Sequence, residues 1–183
     1  MKATAILREE HRLIQDVLDA LERGAKKLAE GAQLPDDFFT NVLDFIRCFA
    51  DDAHHRKEEG VLFKAMIRHG FSEETGPVAV MLHEHDEARR FTQMLLESTD
   101  KLRRGDANAR EEVIMYALAY VRLLRQHIMK ENNILFDMAD RIIPEAEYAQ
   151  IDAGFETIER EEIGPAVHAK YRALAGELSA QSA

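Results

Sequence analysis

A ten-residue block occurs twice in this 183-residue chain, and its duplication restricts the fold more than any other feature. His54-His55-Arg56-Lys57-Glu58-Glu59-Gly60-Val61-Leu62-Phe63 aligns without gaps on His127-Ile128-Met129-Lys130-Glu131-Asn132-Asn133-Ile134-Leu135-Phe136. Both read His-x-x-Lys-Glu-x-x-(Val/Ile)-Leu-Phe. Upstream of each block stands a Glu-His dipeptide, Glu10-His11 and Glu84-His85, with His-to-His separations of 43 and 42 residues. Such matched spacing marks one helical hairpin used twice.

Apolar residues recur at intervals of three and four, as in Leu7, Ile14, Val17, Leu18, Leu21 and Leu28, while strand-like alternation is nearly absent. The predicted fold class is all-α, an up-down antiparallel four-helix bundle with two extra C-terminal helices. Long helices are expected over 3–31, 35–69, 77–104 and 107–142, and shorter ones over 144–162 and 165–179, interrupted by Gly154 and Gly164. Pro35, Pro77, Pro144 and Pro165 each stand at an expected helix start, where a missing N–H is tolerated. Short connections at 32–34 and 105–106 make successive helices antiparallel. Residues 1–142 then form the bundle, and 143–183 an extension packed on it. With 46% apolar residues the chain can enclose one core.

Charge and cysteine content exclude several classes of partner. The formal charge of −10 repels a phosphate backbone, and the densest basic pairs are only Arg89–Arg90 and Arg103–Arg104, so no nucleic acid partner is expected. Cys48 stands alone, which forbids an internal disulfide and suits a packed thiol in a reducing compartment. No apolar run is long enough for a signal peptide or a membrane span, so the expectation is a cytoplasmic chain with no membrane partner.

The repeat places chemistry at one level of such a bundle. Residues four apart share a helix face, so His54 with Glu58, and His127 with Glu131, each present nitrogen and oxygen together. With turns near residues 33 and 106, His11 lies 22 residues before the first and His54 21 after it, while His85 and His127 both lie 21 from the second. All four histidines continue apolar faces, and a carboxylate on such a face is costly unless it is paired, protonated or metal-bound. The predicted metal ligands are His11, His54, Glu58, His85, His127 and Glu131, with Glu58 and Glu131 as bridges between two ions. A nitrogen-rich set without thiolate suits a pair of iron or manganese ions and admits zinc. The competing reading is a metal-free polar network.

His55 and Glu59, also four apart, are further candidates; their face carries Asp52 as well as Cys48 and Leu62, so a supporting or surface position is the alternative. His69, His83 and His168 are not candidates. Tyr116 and Tyr120 lie near the inward face of the fourth helix, suited to packing or to donating a hydrogen bond to a bound ligand.

Taken in order, the motifs Glu-His, His-His-x-x-Glu-Glu-x-x-Leu-Phe, Glu-His and His-x-x-x-Glu-Asn-x-x-Leu-Phe resemble those of the hemerythrin-like family, also called the HHE cation-binding domain, over about residues 3–142. That resemblance implies a four-helix bundle around a non-haem di-iron centre, two iron ions joined by an oxo or hydroxo bridge and able to bind dioxygen. It implies ligand roles for His11, His54, Glu58, His85, His127 and Glu131. Oxygen-carrying members place two histidines four apart on the third helix, whereas Met81 and Arg89 flank His85 here, which leaves one nitrogen ligand unassigned. Carriers also use Asp where this chain has Glu131, the residue of many bacterial members. The resemblance thus implies a protein that binds or senses dioxygen or a related small oxidant, in the response to oxygen, iron, or oxidative or nitrosative stress, rather than an enzyme. The alternatives are a di-iron enzyme acting on peroxide or nitric oxide, and an iron storage or trafficking protein.

Overall fold

The computed structural model of the chain describes residues 3–160, 164 and 167–183, and among them helices are the only regular structure. Helix α1 is Ala3–Ala29, α2 spans residues 38–68, α3 is Gly76–Arg103 and α4 spans residues 109–142. A short helical turn, Glu145–Glu147, leads into α5 (Tyr148–Ile158), and α6 is Val167–Ser182. The apolar spacing of α1 explains its orientation, since Leu7, Ile14, Val17, Leu18 and Leu21 are all buried and His11 falls in the same series. Gly31 and Gly105, with φ of 76° and 90°, let the chain leave α1 and α3 through the left-handed region that a side chain disfavours. Pro77 occupies the first turn of α3, as expected of a residue without an N–H. Pro165, read as the start of the last helix, lies outside the described residues.

Two helices depart from the uniform winding expected of them. Along 46–55 and 58–62 of α2, and along 131–135 of α4, the backbone hydrogen bonds reach the fifth residue back instead of the fourth. The turns at 58–62 and 131–135 fall on the duplicated block and the stretch 46–55 leads into its first copy, where the wider winding changes which side chains face inward.

Two apolar clusters form the core. One gathers Leu18, Phe45, Phe49, Tyr120 and Leu124; the other gathers Leu7, Leu62, Phe63, Leu135 and Phe136. The predicted site residues fall between them on every helix, with Leu7 and Ile14 on either side of His11 and Met81 and Ala88 on either side of His85. Helix α5 adds Tyr148, Ile151 and Phe155 to the second cluster, and α6 adds Tyr171, Ala175 and Leu178 to the first. Gly154 was expected to interrupt a helix but lies within α5, where an added Cβ would stand 2.9 Å from Val61 Cγ1. Close approach of α5 to α2 is the reason for that glycine. Cys48 is free and half-buried, and among the described residues no helix is long and apolar enough to cross a membrane.

Candidate metal centre

The structure brings His11, His54, Glu58, His85, His127 and Glu131 together, all buried. His11 and His54 face each other with Nε2 atoms 2.9 Å apart, and His85 and His127 do the same at 3.0 Å. Both carboxylates reach across these pairs. Glu58 Oε1 lies 3.3 Å from His54 Nε2, and its Oε2 lies 3.4 Å from His85 Nε2. Glu131 Oε2 lies 3.2 Å from both His11 Nε2 and His127 Nε2.

His55 joins them. It is buried and stacks on the His85 ring with centroids 3.9 Å apart. The ligand atoms form two groups, each within 4.8 Å: His11, His54, Glu58 and Glu131 in one, and His55, Glu58, His85 and His127 in the other. Glu58 belongs to both. Glu59 is in neither, because it accepts from His85 Nδ1 at 2.7 Å and takes the Arg89 guanidinium at 2.8 Å.

Every one of the five imidazoles is held from behind at Nδ1. Asn132 holds His11 at 2.9 Å, Glu10 holds His54 at 2.9 Å, Asp51 holds His55 at 3.4 Å, Glu59 holds His85 and Glu84 holds His127 at 2.9 Å. An imidazole whose Nδ1–H is donated outward to a carboxylate turns the Nε2 lone pair inward. Neutral rings so arranged would set lone pairs against lone pairs at 2.9–3.0 Å, beside four carboxylate oxygens of Glu58 and Glu131 that accept no hydrogen bond. So many acceptors without a donor require positive charge among them. The donor set therefore fits divalent cations.

Without bound cations, protons supply that charge. Burial opposes a charged His54, but Glu58 and Glu10 outweigh it and lift the imidazole to about 9. Burial likewise opposes a charged His127, and Glu131 and Glu84 lift it to about 10. His55 is the exception, pushed down to about 3 by burial and by the His85 charge. Burial and the Glu58 charge oppose ionisation of Glu131, yet His127 and His11 hold it at about 2.

Behind the histidines stands a second repeated feature that the sequence reading did not assign. Glu10 binds the ammonium of Lys57 as well as His54, and Glu84 binds that of Lys130 as well as His127. Glu10 and Glu84 are the glutamates of the two Glu-His dipeptides, and Lys57 and Lys130 are the lysines of the two blocks. Their duplication was the available signal. Beside His55 opens a cavity of about 190 Å³, lined also by Asp51, Ala88, Arg89, Thr92 and the buried Tyr120. Tyr116 is half-buried and packs on the first apolar cluster.

The hemerythrin HHE cation binding domain, as a family model, matches residues 2–139. The chain belongs to this family. The matched span contains both blocks and every residue of the two His/Glu groups at the centre, while α5 and α6 lie beyond it. An uncharacterized protein of Mycobacterium tuberculosis is 24% identical over 160 residues, covering 87% of this chain and 62% of the relative. The iron-sulfur cluster repair protein YtfE of Musicola paradisiaca is 36% identical over 91 residues, 48% of this chain and 40% of the relative. YtfE of Escherichia coli gives 36% over 90 residues, with the same coverage. The chain thus spans less than two thirds of the length of these curated relatives. No solved structure matches.

Proposed function

We propose that this hemerythrin-family chain is a non-haem di-iron protein that binds dioxygen or a related small oxidant and reports or buffers it. The observation that carries the reading is the set of four unpartnered, buried oxygens on Glu58 and Glu131, facing inward-turned Nε2 atoms. In this reading α1 to α4 form the up-down antiparallel bundle over residues 1–142, and 143–183 is its extension. His11 and His54 would hold one ion, and His55, His85 and His127 the other, with Glu58 and Glu131 shared between them. Zinc or manganese would satisfy the same donors.

A bound iron pair would supply two electrons to a small oxidant. The chain's own part is to hold the ions, exclude water and limit what approaches. Leu7, Phe63 and Phe136 bury the site from one end, and Ile14, Ala50 and Ala88 from the other. The cavity of about 190 Å³ beside His55 suits ligands of a few atoms.

The test is to purify the protein without oxygen, count its metal, and record its optical spectrum on exposure to air. About two irons per chain with a reversible oxygen-dependent band are expected. Irreversible bleaching with consumption of added peroxide would replace binding by enzymatic turnover, and a folded chain that takes up no iron would overturn the reading. The likeness to YtfE supports a second reading, iron delivery toward damaged iron-sulfur clusters; transfer of iron to a cluster-depleted acceptor protein would favour it.

A further inference from the structure

The two supports behind the histidines differ in one respect that the repeat does not explain. Lys130 and Glu84 form a pair of their own, with side chains 30% and 14% exposed. Lys57 is fully buried and shared, binding Glu10 on one side and Glu159 at 2.6 Å on the other. Glu159 follows α5, and both of its oxygens lie 2.8 Å from His168 Nε2 in α6. Among the described residues, the C-terminal segment, outside the family-matched span, therefore reaches the support of one cation position only. A cation held there instead of the ammonium is disfavoured, because Lys57 already lies between Glu10 and Glu159.

We propose that Glu159 is a positioning residue for the His11/His54 position, its carboxylate drawing on Lys57 so that Glu10 keeps its negative charge for His54. Lys57 divides its ammonium between two carboxylates, Glu10 and Glu159, the second also facing His168, whereas Lys130 serves Glu84 behind His127. Burial makes that difference large, since charges interact more strongly away from water. Negative charge at Nδ1 raises the basicity of Nε2 and so the hold on a cation. Burial works against ionisation of Glu159, but His168 and Lys57 hold it at about 2, so the charge is present at neutral pH. This inference rests on the two-cation reading above.

Zinc(II), a redox-silent probe, titrated by calorimetry into the chelator-stripped full chain tests both. Wild type is expected to bind two ions; binding of none would remove the two-cation reading, and this inference with it. Given two, Glu159→Gln keeps an oxygen for Lys57 but removes the charge. It is expected to weaken one ion about tenfold, the low end of the range for outer supports, and to leave the other unchanged. In crystals grown with one equivalent of zinc, the share of anomalous scattering at the His11/His54 position should fall relative to wild type. Glu159→Ala, which removes charge and contact, should show the same split. Wild-type affinities in Glu159→Gln, or equal weakening of both ions together with a lower melting temperature, would overturn the proposal.

Discussion

The two halves of the centre descend from one sequence pattern, yet they are built differently. One half has two imidazoles, His11 and His54, and a support whose Lys57 and Glu10 are buried, with Lys57 also bound to Glu159 of the C-terminal segment. The other has three imidazoles, because His55 crosses over from α2, and a support that stays partly wet. A repeat thus fixes where donors converge without making the two positions equal. Ligand number favours one position, and buried charge favours the other.

The comparison breaks most severely at Glu58, the one carboxylate common to both groups. Glu58→Ala is expected to lower zinc affinity at both positions by about 100-fold or more, beyond what loss of an outer support produces. Retention of one ion at wild-type affinity would show that Glu58 is not shared. Glu10→Gln and Glu84→Gln sharpen the comparison. Each should weaken one ion by about 10- to 100-fold, with Glu10→Gln the larger because its surroundings are drier. Equal losses in the same titration would erase the asymmetry.

Acid and base act on both halves of the stripped protein. His54 and His127 titrate near 9 and 10 in the fold against 6.5 ordinarily, so folding raises their affinity for protons. Their contribution to stability is complete below pH 6.5 and disappears as pH rises through 9 to 10. Denaturant melts of stripped protein should lose stability steadily over that window. Glu131 behaves oppositely, because its value falls from 4.5 to about 2; its contribution is present above pH 4.5 and is lost on acidification through 2. Loading zinc displaces the imidazole protons and should flatten the alkaline loss; a loss that persists at the same size in the loaded protein would contradict this. The smallest effect on the centre is expected from Gly154→Ala, whose Cβ would press on Val61. Overpacking of this kind costs about 1 kcal/mol, so the melting temperature should fall while both affinities stay unchanged.

Much of this was legible in the sequence, for physical reasons that also mark where legibility ended. Apolar spacing defined the helices to within a few residues, because a helix must bury one face. The duplicated blocks identified six converging side chains, since equal distances from two turns bring residues to one level. His55 remained ambiguous because neighbours on a uniform α-helix point about 100° apart, so His54 and His55 could not both be assigned to the interior. The widened turns of α2 bury both, and nothing in local composition announces that winding. Glu10, Glu84, Lys57 and Lys130 were visible as repeated residues, but their pairing joins segments 46 or 47 positions apart. Glu159 and His168 had no counterpart in the other half, so only folding reveals that they meet Lys57.

Anomalous diffraction at the iron edge, from crystals of protein purified and loaded with ferrous iron without oxygen, tests the central claim most directly. Two peaks are predicted, one beside His11 and His54 and one beside His55, His85 and His127, with Glu58 and Glu131 between them. A single peak, peaks confined to surface carboxylates, or none after loading would contradict it.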